Sequence, residues 1–529
     1  MVDLEPQMPT RVIDVVSFEG NEAPRLLETG GLRGRYIAVS HSWGTVVQPY
    51  TTMKILESLK QSIDFESLPK TFRDSIFIAR KLGVRYVWID SICIIQDNYE
   101  DWKREAKTMG LVYEKAYLTI SASESPGDDA GFLTPNPQVK MDVMLPFELG
   151  CPASGHIYLR SQYTGVINPQ STALSRRGWV LQERTLSRRI LHFDGMQVHW
   201  ECSQYRVSES GAKEDITGNV NTSYFLGQNI RPLAGRRSGD DLTDPTEHRK
   251  ALQTLYHFYA CKIHEFSACK LTRASDKLLA ILGLGNEISR GTGIPCLEGH
   301  LLFEEPLFVY SLLWHTEIFG IQGSAIPAQV RAPSWSWAAM EGPRVFHLLG
   351  QDIEFERRFF LTIKRVLELD QLTLKPHNAL LCLGRVTAGM KGDPFKYPGG
   401  SLAWNSRQFH EDPDEFQPPT FAYRLLDPAG DNKPRFPWGS SGKGWVCFDS
   451  MEARPEDFFF IPVCAPPAGE ERSHPTTTRG CLGLVVVKAS VEEQHAVSGF
   501  TNIYKRVGFG GLNGTSWFDQ RDEVDLLLL

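Results

Sequence analysis

The chain has 529 residues, of which 42% are hydrophobic and 22% are charged, with a formal net charge of −7 and a pI near 6.1. This length exceeds the size at which one core keeps growing, so we expect two or three packed units in a soluble globular protein. The acidic balance argues against a nucleic-acid partner, because such binding usually needs a concentrated basic surface.

Membrane and metal binding are also disfavoured by the sequence. No segment approaches the roughly 18 apolar residues of a membrane helix, and the opening MVDLEPQMPT lacks a signal-peptide pattern. We therefore predict a cytoplasmic protein without a membrane span. The 10 cysteines form no CxxC pair, and His257, Cys261 and His264 share a helical face without a fourth ligand. We predict no metal site.

The first clear element is the apolar, β-rich run YIAVS at 36–40, which ends at HSWG. The segment LPKTFRDSIFIARKLG then predicts a helix that Pro69 can open and Gly83 can close. Its apolar residues recur at helical spacing: Phe72, Ile76, Ala79 and Leu82. The following RYVWID predicts a buried strand.

A second helix is predicted after Asp97 and Asn98, either of which suits the N-cap, with Glu100 and Asp101 in the first turn. One apolar face is formed by Trp102, Ala106, Met109, Tyr113 and Ala116. YLTISA at 117–122 predicts the next strand. Because strands and helices alternate, we predict an α/β fold with a mostly parallel sheet flanked by helices.

Composition changes along the chain predict five regions. Residues 1–35 form an N-terminal extension, and residues 36–205 form the α/β domain, which contains an insertion or long loop rich in Pro, Gly and Asp at about 123–175. A flexible loop or linker covers 206–246. A helical and loop region covers 247–345, and a β-rich C-terminal unit covers 346–529.

Three segments of the α/β domain carry a family resemblance. YIAVSHSWG, then YVWIDSICIIQ with the following DWKRE, then RRGWVLQE resemble the fungal heterokaryon-incompatibility (HET) domain in order and content. Later segments, SDKLLAILGLG, RAPSWSWA and YKRVGF, resemble those of stand-alone HET proteins. His41 departs from the family, which more often carries Tyr there. The resemblance implies a TIR-like fold and a role in non-self recognition and programmed cell death, through a protein partner or self-association.

Candidate ligand-binding residues follow two of the predicted strands. Ser40, His41 and Trp43 follow the first strand, and Asp90 and Cys93 follow the second. Ligands of open parallel sheets sit beyond the carboxyl ends of the strands, so these residues are predicted to converge on one ligand-binding site.

Each of these residues also has a structural explanation. Asp90 could bind a ribose hydroxyl or orient His41, or it could cap a turn. Cys93 could be a nucleophile with His41 as its base, or a buried inert thiol. Arg177 and Gln182, with Trp179 and Glu183, could contact a phosphate and a base, or form an internal polar network.

The resemblance also nominates Glu105 as the catalytic residue. Trp102 and Glu105 resemble the W-x-x-E arrangement of TIR domains, whose glutamate engages the ribose of NAD. This implies Glu105 as a catalytic carboxylate and NAD as a candidate substrate, and the sequence identifies no certain cofactor. The alternative is a solvated glutamate on a helix. Three functions therefore remain open: recognition and cell death through protein contacts, NAD hydrolysis, and an enzyme or accessory role in fungal secondary metabolism.

Overall fold

The computed structural model describes residues 5–15, 23–44, 51–133, 142–149, 153–160, 166–216, 245–304, 307–316, 326–327, 330–346, 358–368, 378–386, 392–394, 423–425, 444–449, 458–465, 481–497, 500–512 and 521–529. It divides into two compact units. The first comprises Met1–Arg231, Cys269–Thr272 and Leu279–Ile288. The second comprises Pro232–Ala268, Arg273–Leu278 and Ser289–Leu529.

The first unit is built on a nine-stranded sheet. Its strands are β1 (Arg11–Asp14), β2 (Arg25–Glu28), β3 (Tyr36–Ser40), β4 (Tyr86–Trp88), β5 (Leu118–Ser121), β8 (Arg189–Phe193), β9 (Val198–Cys202), β10 (Tyr205–Ser208) and β11 (Lys213–Asp215). A separate hairpin joins β6 (Asp142–Leu149) to β7 (Ala153–Arg160). The helices are α1 (Leu56–Gln61), α2 (Lys70–Lys81), α3 (Asp90–Cys93), α4 (Tyr99–Lys115) and α5 (Gly178–Leu186).

The strand order is β11-β10-β9-β8-β5-β3-β4-β1-β2. The four central strands, β8, β5, β3 and β4, are parallel. The other five pairings are antiparallel. The prediction of a mostly parallel sheet is therefore wrong: the sheet is mixed. Helical segments connect the parallel strands at the centre, whereas short turns join β8, β9, β10 and β11 and impose antiparallel pairing there.

Both predicted helices of the α/β core are confirmed. α2 begins after Pro69 and buries Phe72, Ile76 and Ala79, although Leu82 is 47% exposed just beyond its last turn. α4 begins after Asn98, whose side chain accepts a hydrogen bond from the backbone N–H of Asp101 at 3.1 Å. The apolar faces of these helices and the parallel strands share one core, as expected when helices cover a central sheet.

The sheet extends beyond both ends of the predicted 36–205 domain. β1 and β2 come from the segment assigned to an N-terminal extension, and β10 and β11 reach into the segment assigned to a linker. The predicted insertion at 123–175 contains the β6–β7 hairpin. The remaining residues of the predicted linker, 217–244, lie outside the described residues.

The second unit contains helices and a β-rich C-terminal sheet, which confirms the predicted β-rich C-terminal unit. Its helices are α6 (Pro245–Ser267), the ends of α7 (Lys277–Thr292), α8 (Leu307–Ser311) and α9 (Val491–Ala496). Short two-residue strands β12 (Cys296–Leu297), β13 (His300–Leu301), β14 (His315–Thr316) and β15 (Arg344–Val345) form two small pairs.

The C-terminal sheet has ten strands. They are β16 (Arg358–Phe359), β17 (Thr362–Glu368), β18 (Asn378–Gly384), β19 (Gly392–Pro394), β20 (Tyr423–Leu425), β21 (Gly444–Phe448), β22 (Phe459–Ala465), β23 (Cys481–Lys488), β24 (Ile503–Leu512) and β25 (Val524–Leu528). Arg506 on β24 ion-pairs with Asp449 at 3.0 Å and lies over the ring of buried Trp314. This paired arginine satisfies its charge inside the unit. No helix among the described residues is long and apolar enough to cross a membrane.

Candidate functional site

The polar residues after β3 meet those after β4 and β5 at the carboxyl end of the parallel strands. His41 lies between two carboxylates: Nδ1 is 2.5 Å from Oδ1 of Asp128, and Nε2 is 2.9 Å from Oδ1 of Asp90. Burial alone would lower the pKa of His41, but the charge of Asp90 and the hydrogen bonds from both carboxylates raise it to about 10. His41 is therefore an imidazolium near neutral pH. Its two N–H groups donate hydrogen bonds to Asp128 and Asp90.

Asp90 is the shared acceptor of this cluster. Besides His41, it accepts hydrogen bonds from the indole Nε1 of Trp43 at 3.0 Å and from the backbone N–H of Ser91 at 2.6 Å. Burial would raise the pKa of Asp90, but the charge of His41, with a smaller contribution from Arg177, keeps it below the ordinary value. Asp90 thus both binds His41 and stabilises the start of α3.

The loops that carry these residues are packed closely. Gly44 has a φ of +74°, and a Cβ at this position would lie 2.9 Å from the Cα of Gly127. Only glycine fits both the left-handed backbone and this close approach. The glycine of the S-x-x-W-G motif therefore brings the loop after β3 against the loop that carries Asp128.

Ser40 and Glu183 form a second buried pair at the same end of the sheet. Ser40 Oγ donates to Oε2 of Glu183 at 2.5 Å. Burial raises the pKa of Glu183 to about 7, and the charge of Asp90 adds to this effect, whereas the Ser40 hydrogen bond and Arg177 oppose it. Tyr113 on α4 donates to the carbonyl of Val39 at 3.0 Å and interacts with Glu183.

Arg177 joins the same group of residues from the N-terminus of α5. It is partly exposed and donates to the backbone carbonyl of His41 at 3.2 Å. Its charge contributes to lowering the pKa of Asp90 and opposes the rise at Glu183. Of the predicted ligand-binding residues, the structure therefore brings together Ser40, His41, Trp43, Asp90 and Arg177, largely through bonds to one another.

Glu105 lies in a different cluster. It is 4% exposed, and its Oε1 is 3.9 Å from Nη2 of Arg11 and 3.4 Å from Nε of Arg104. Arg11 also ion-pairs with Asp101 at 2.5 Å. The alternative of a solvated glutamate is wrong, because Glu105 is buried and faces Arg11, which comes from β1 far upstream in the chain. No hydrogen bond between Glu105 and the cluster around His41 is found among the described residues.

Cys93 and Gln182 are both fully buried. Burial raises the pKa of the Cys93 thiol to about 12, which favours the inert thiol over the nucleophile. The cationic His41 also has no lone pair with which to act as its base. Gln182 packs against Gly283, where a Cβ would lie 2.2 Å from Gln182 Oε1. Neither amide atom of Gln182 has a hydrogen-bond partner among the described residues.

Sequence reasoning missed two contributors to the site, Asp128 and Tyr113. Asp128 lies in the turn-rich segment SPGDDAG directly after β5, so its position after a third parallel strand was the available signal. The spacing of Tyr113 predicts only a place on an apolar helix face, yet its hydroxyl donates to the carbonyl of Val39 near the end of β3. No local sequence pattern indicates that Arg11 pairs with Asp101. No group of three or more His, Cys, Asp or Glu side chains suited to a metal ion occurs among the described residues.

Fold and site define a class of protein: an α/β domain whose S-x-x-W-G, I-D-S-x-C and W-x-x-Q-E segments meet in one polar network. Residues 36–183 match the family model described as Heterokaryon incompatibility protein (HET). The chain therefore carries a heterokaryon-incompatibility domain at 36–183. Comparison with curated proteins gave no match, and comparison with solved structures gave none.

Proposed function

We propose that this HET-domain protein acts in fungal non-self recognition and programmed cell death, and that it acts mainly through protein contacts. The proposal rests on the bonds that the motif residues make to one another. His41, Trp43 and Asp90 are used in bonds to one another, and these bonds hold two loops in a fixed arrangement. Such a network suits the positioning of a surface better than the turnover of a substrate.

Hydrolysis of NAD through Glu105 receives no comparable support. The carboxylate is 4% exposed and faces two arginines, so a ribose has no direct approach to it. A TIR-like fold remains part of the proposal, since the four parallel central strands with helical crossovers are compatible with it. The proposed surface includes the partly exposed Trp43 and Arg177.

Induced expression of the full chain in a filamentous fungus tests the proposal. We expect growth arrest and uptake of a vital dye after induction of the wild-type chain. Trp43→Ala should reduce killing, because it removes an aromatic side chain of a type that often dominates protein interfaces. The matched control is Tyr205→Ala, which removes another partly exposed aromatic side chain on β10 and should leave killing intact. Unimpaired growth with the wild-type chain would contradict the proposal.

A further inference from the structure

Two arginines and a tyrosine lie together at the amino-terminal edge of the parallel strands, opposite the edge that carries His41. Arg35 directly precedes β3, Tyr117 directly precedes β5, and Arg189 is the first residue of β8. Because β5 lies between β3 and β8, the tyrosine lies between the two arginines. Three neighbouring strands therefore bring these side chains to one place.

Both arginines lie against the ring of Tyr117. The Cζ atom of Arg35 is 5.5 Å from the ring centroid, and the Cζ atom of Arg189 is 4.7 Å from it. Cation–π contacts of this kind hold a guanidinium in place without using its N–H donors. Arg35 is exposed, and Tyr117 and Arg189 are partly exposed, so a ligand in solution can approach the cluster.

Neither guanidinium has a carboxylate partner or a hydrogen-bond acceptor among the described residues, and the Nε atom of Arg189 is buried without one. The carboxylate of Glu114, near the end of α4, instead pairs with Arg188 at 3.3 Å. Arg85, which precedes β4 at the same edge, bonds both carboxylate oxygens of Asp14 at 2.9 Å. Two positive charges without a negative partner therefore distinguish this cluster, in a chain whose net charge is −7.

We propose that Arg35 and Arg189, held against Tyr117, bind a phosphate group, either as inorganic phosphate or as the phosphomonoester of a larger ligand. The planar fork of N–H donors on a guanidinium matches the oxygens of a phosphate, and such charge-assisted hydrogen bonds are strong. A phosphomonoester carries a charge of about −1.5 to −2 near neutral pH, so it balances two guanidinium groups, whereas a carboxylate would balance only one. This site is separate from the proposed protein-contact function and does not depend on it.

Titration of inorganic phosphate with the purified full chain, followed by phosphorus NMR at constant ionic strength, tests the proposal. We expect the phosphate signal to broaden as the wild-type chain is added. Arg35→Gln and Arg189→Gln should each weaken binding by about 10- to 100-fold, the loss expected for hydrogen bonds to a charged group. Because Arg35 is exposed, Arg35→Gln keeps the test decisive if Arg189→Gln does not fold.

Vesicles of phosphatidylcholine, with and without a phosphatidylinositol monophosphate, distinguish a soluble phosphate from a lipid headgroup. Co-sedimentation that needs the phosphorylated lipid, and that both arginine variants lose, would support the proposal with a lipid as the source of the phosphate. Binding of inorganic phosphate without co-sedimentation would support it with a soluble ligand.

Lys213→Gln is the matched control. It removes the same charge and a similar cation–π contact, since Nζ of Lys213 lies 4.6 Å from the ring centroid of Tyr205, but it does so on the exposed strand β11. This variant should bind phosphate within about twofold of the wild-type affinity, well inside the loss expected for the two arginines. Failure of the wild-type chain to bind either probe would overturn the proposal. Binding that is unchanged in Arg35→Gln and in Arg189→Gln would overturn it equally.

Discussion

At the scale of residues, the central feature is an imidazolium held between two carboxylates. His41 was a candidate ligand-binding residue and a candidate base, but its bonds to Asp90 and Asp128 leave it neither role. The charge on the ring is what holds the loop after β3 to the loop after β5.

The raised pKa of His41 predicts how stability depends on pH. Because the folded state binds this proton more tightly than the unfolded state, the stabilisation is fully present below about pH 6.5 and is lost as the pH rises towards about 10. We expect the melting temperature of the first unit, followed by calorimetry of the full chain, to fall between pH 7 and pH 9.5. His41→Asn should melt lower at pH 7 and show a flatter response over this range. An equal slope in both proteins would contradict the assignment.

The pKa shifts of Glu183 and Glu201 predict opposite effects on stability when each residue is replaced by Gln. Burial raises the pKa of Glu183 to about 7, so its ionisation opposes folding as the pH rises from about 4.5 to 7. The pKa of Glu201 is lowered despite its burial, chiefly by its hydrogen bond to His192, so its charge stabilises the fold above its unfolded pKa. At pH 8, Glu183→Gln should stabilise the protein by about 1–3 kcal/mol, whereas Glu201→Gln should destabilise it. Chemical denaturation at pH 8 measures the change in the free energy of unfolding of each variant. A change of the same sign in both variants would contradict the pKa shifts assigned to Glu183 and Glu201.

Some of the site could be predicted from its residues and some could not. Residues at the carboxyl ends of the parallel strands were predicted to converge. The structure brings together four of them: Ser40, His41, Trp43 and Asp90. A short motif nominates Glu105, but that motif carries no information about Arg11 of β1, which pairs with Glu105 in the folded chain. Because Arg11 lies more than ninety residues upstream of Glu105, their pairing depends on the complete sheet.

At the scale of elements, the alternation of apolar patterns was enough to predict the centre of the sheet. The runs at 36–40, 86–88 and 118–121 are β3, β4 and β5, and the two predicted helices connect them. The outer strands β1, β2 and β11 were harder to predict, because each carries at least two charged residues and at most two apolar ones, so no apolar run marks it. The position of these strands in the sheet depends on pairing with neighbouring strands at its edges. A local sequence pattern does not predict that pairing.

A close helix crossing gives an element-scale prediction. Gly110 on α4 and Gly283 on α7 are so close that a Cβ on Gly283 would lie 3.0 Å from the Cα of Gly110 and 2.2 Å from Gln182 Oε1. Gly283→Ala should therefore destabilise the first unit by about 1–3 kcal/mol through overpacking, despite the higher helix propensity of alanine. Asn286→Ala, at an exposed site on the same helix, is the control and should be neutral or slightly stabilising. Calorimetry compares the two, and a stabilised Gly283→Ala would contradict the crossing.

At the scale of the whole molecule, the chain combines a HET domain with a β-rich C-terminal sheet. Segments that resemble those of stand-alone HET proteins supply core residues of the second unit, including the fully buried Trp335 and Trp337. The β-rich unit was predictable because its apolar runs are short and separated by turn residues.

We propose that the HET domain acts through protein contacts and not through Glu105. The most direct measurement is killing by Glu105→Gln after induction in a fungal host, with cellular NAD measured in the same cultures. Glutamine keeps the shape of the side chain and leaves the Arg11–Asp101 ion pair in place. We predict killing equal to wild type, with no fall in NAD before growth stops. Loss of killing in Glu105→Gln, together with an early NAD fall that only the wild-type chain produces, would contradict the account.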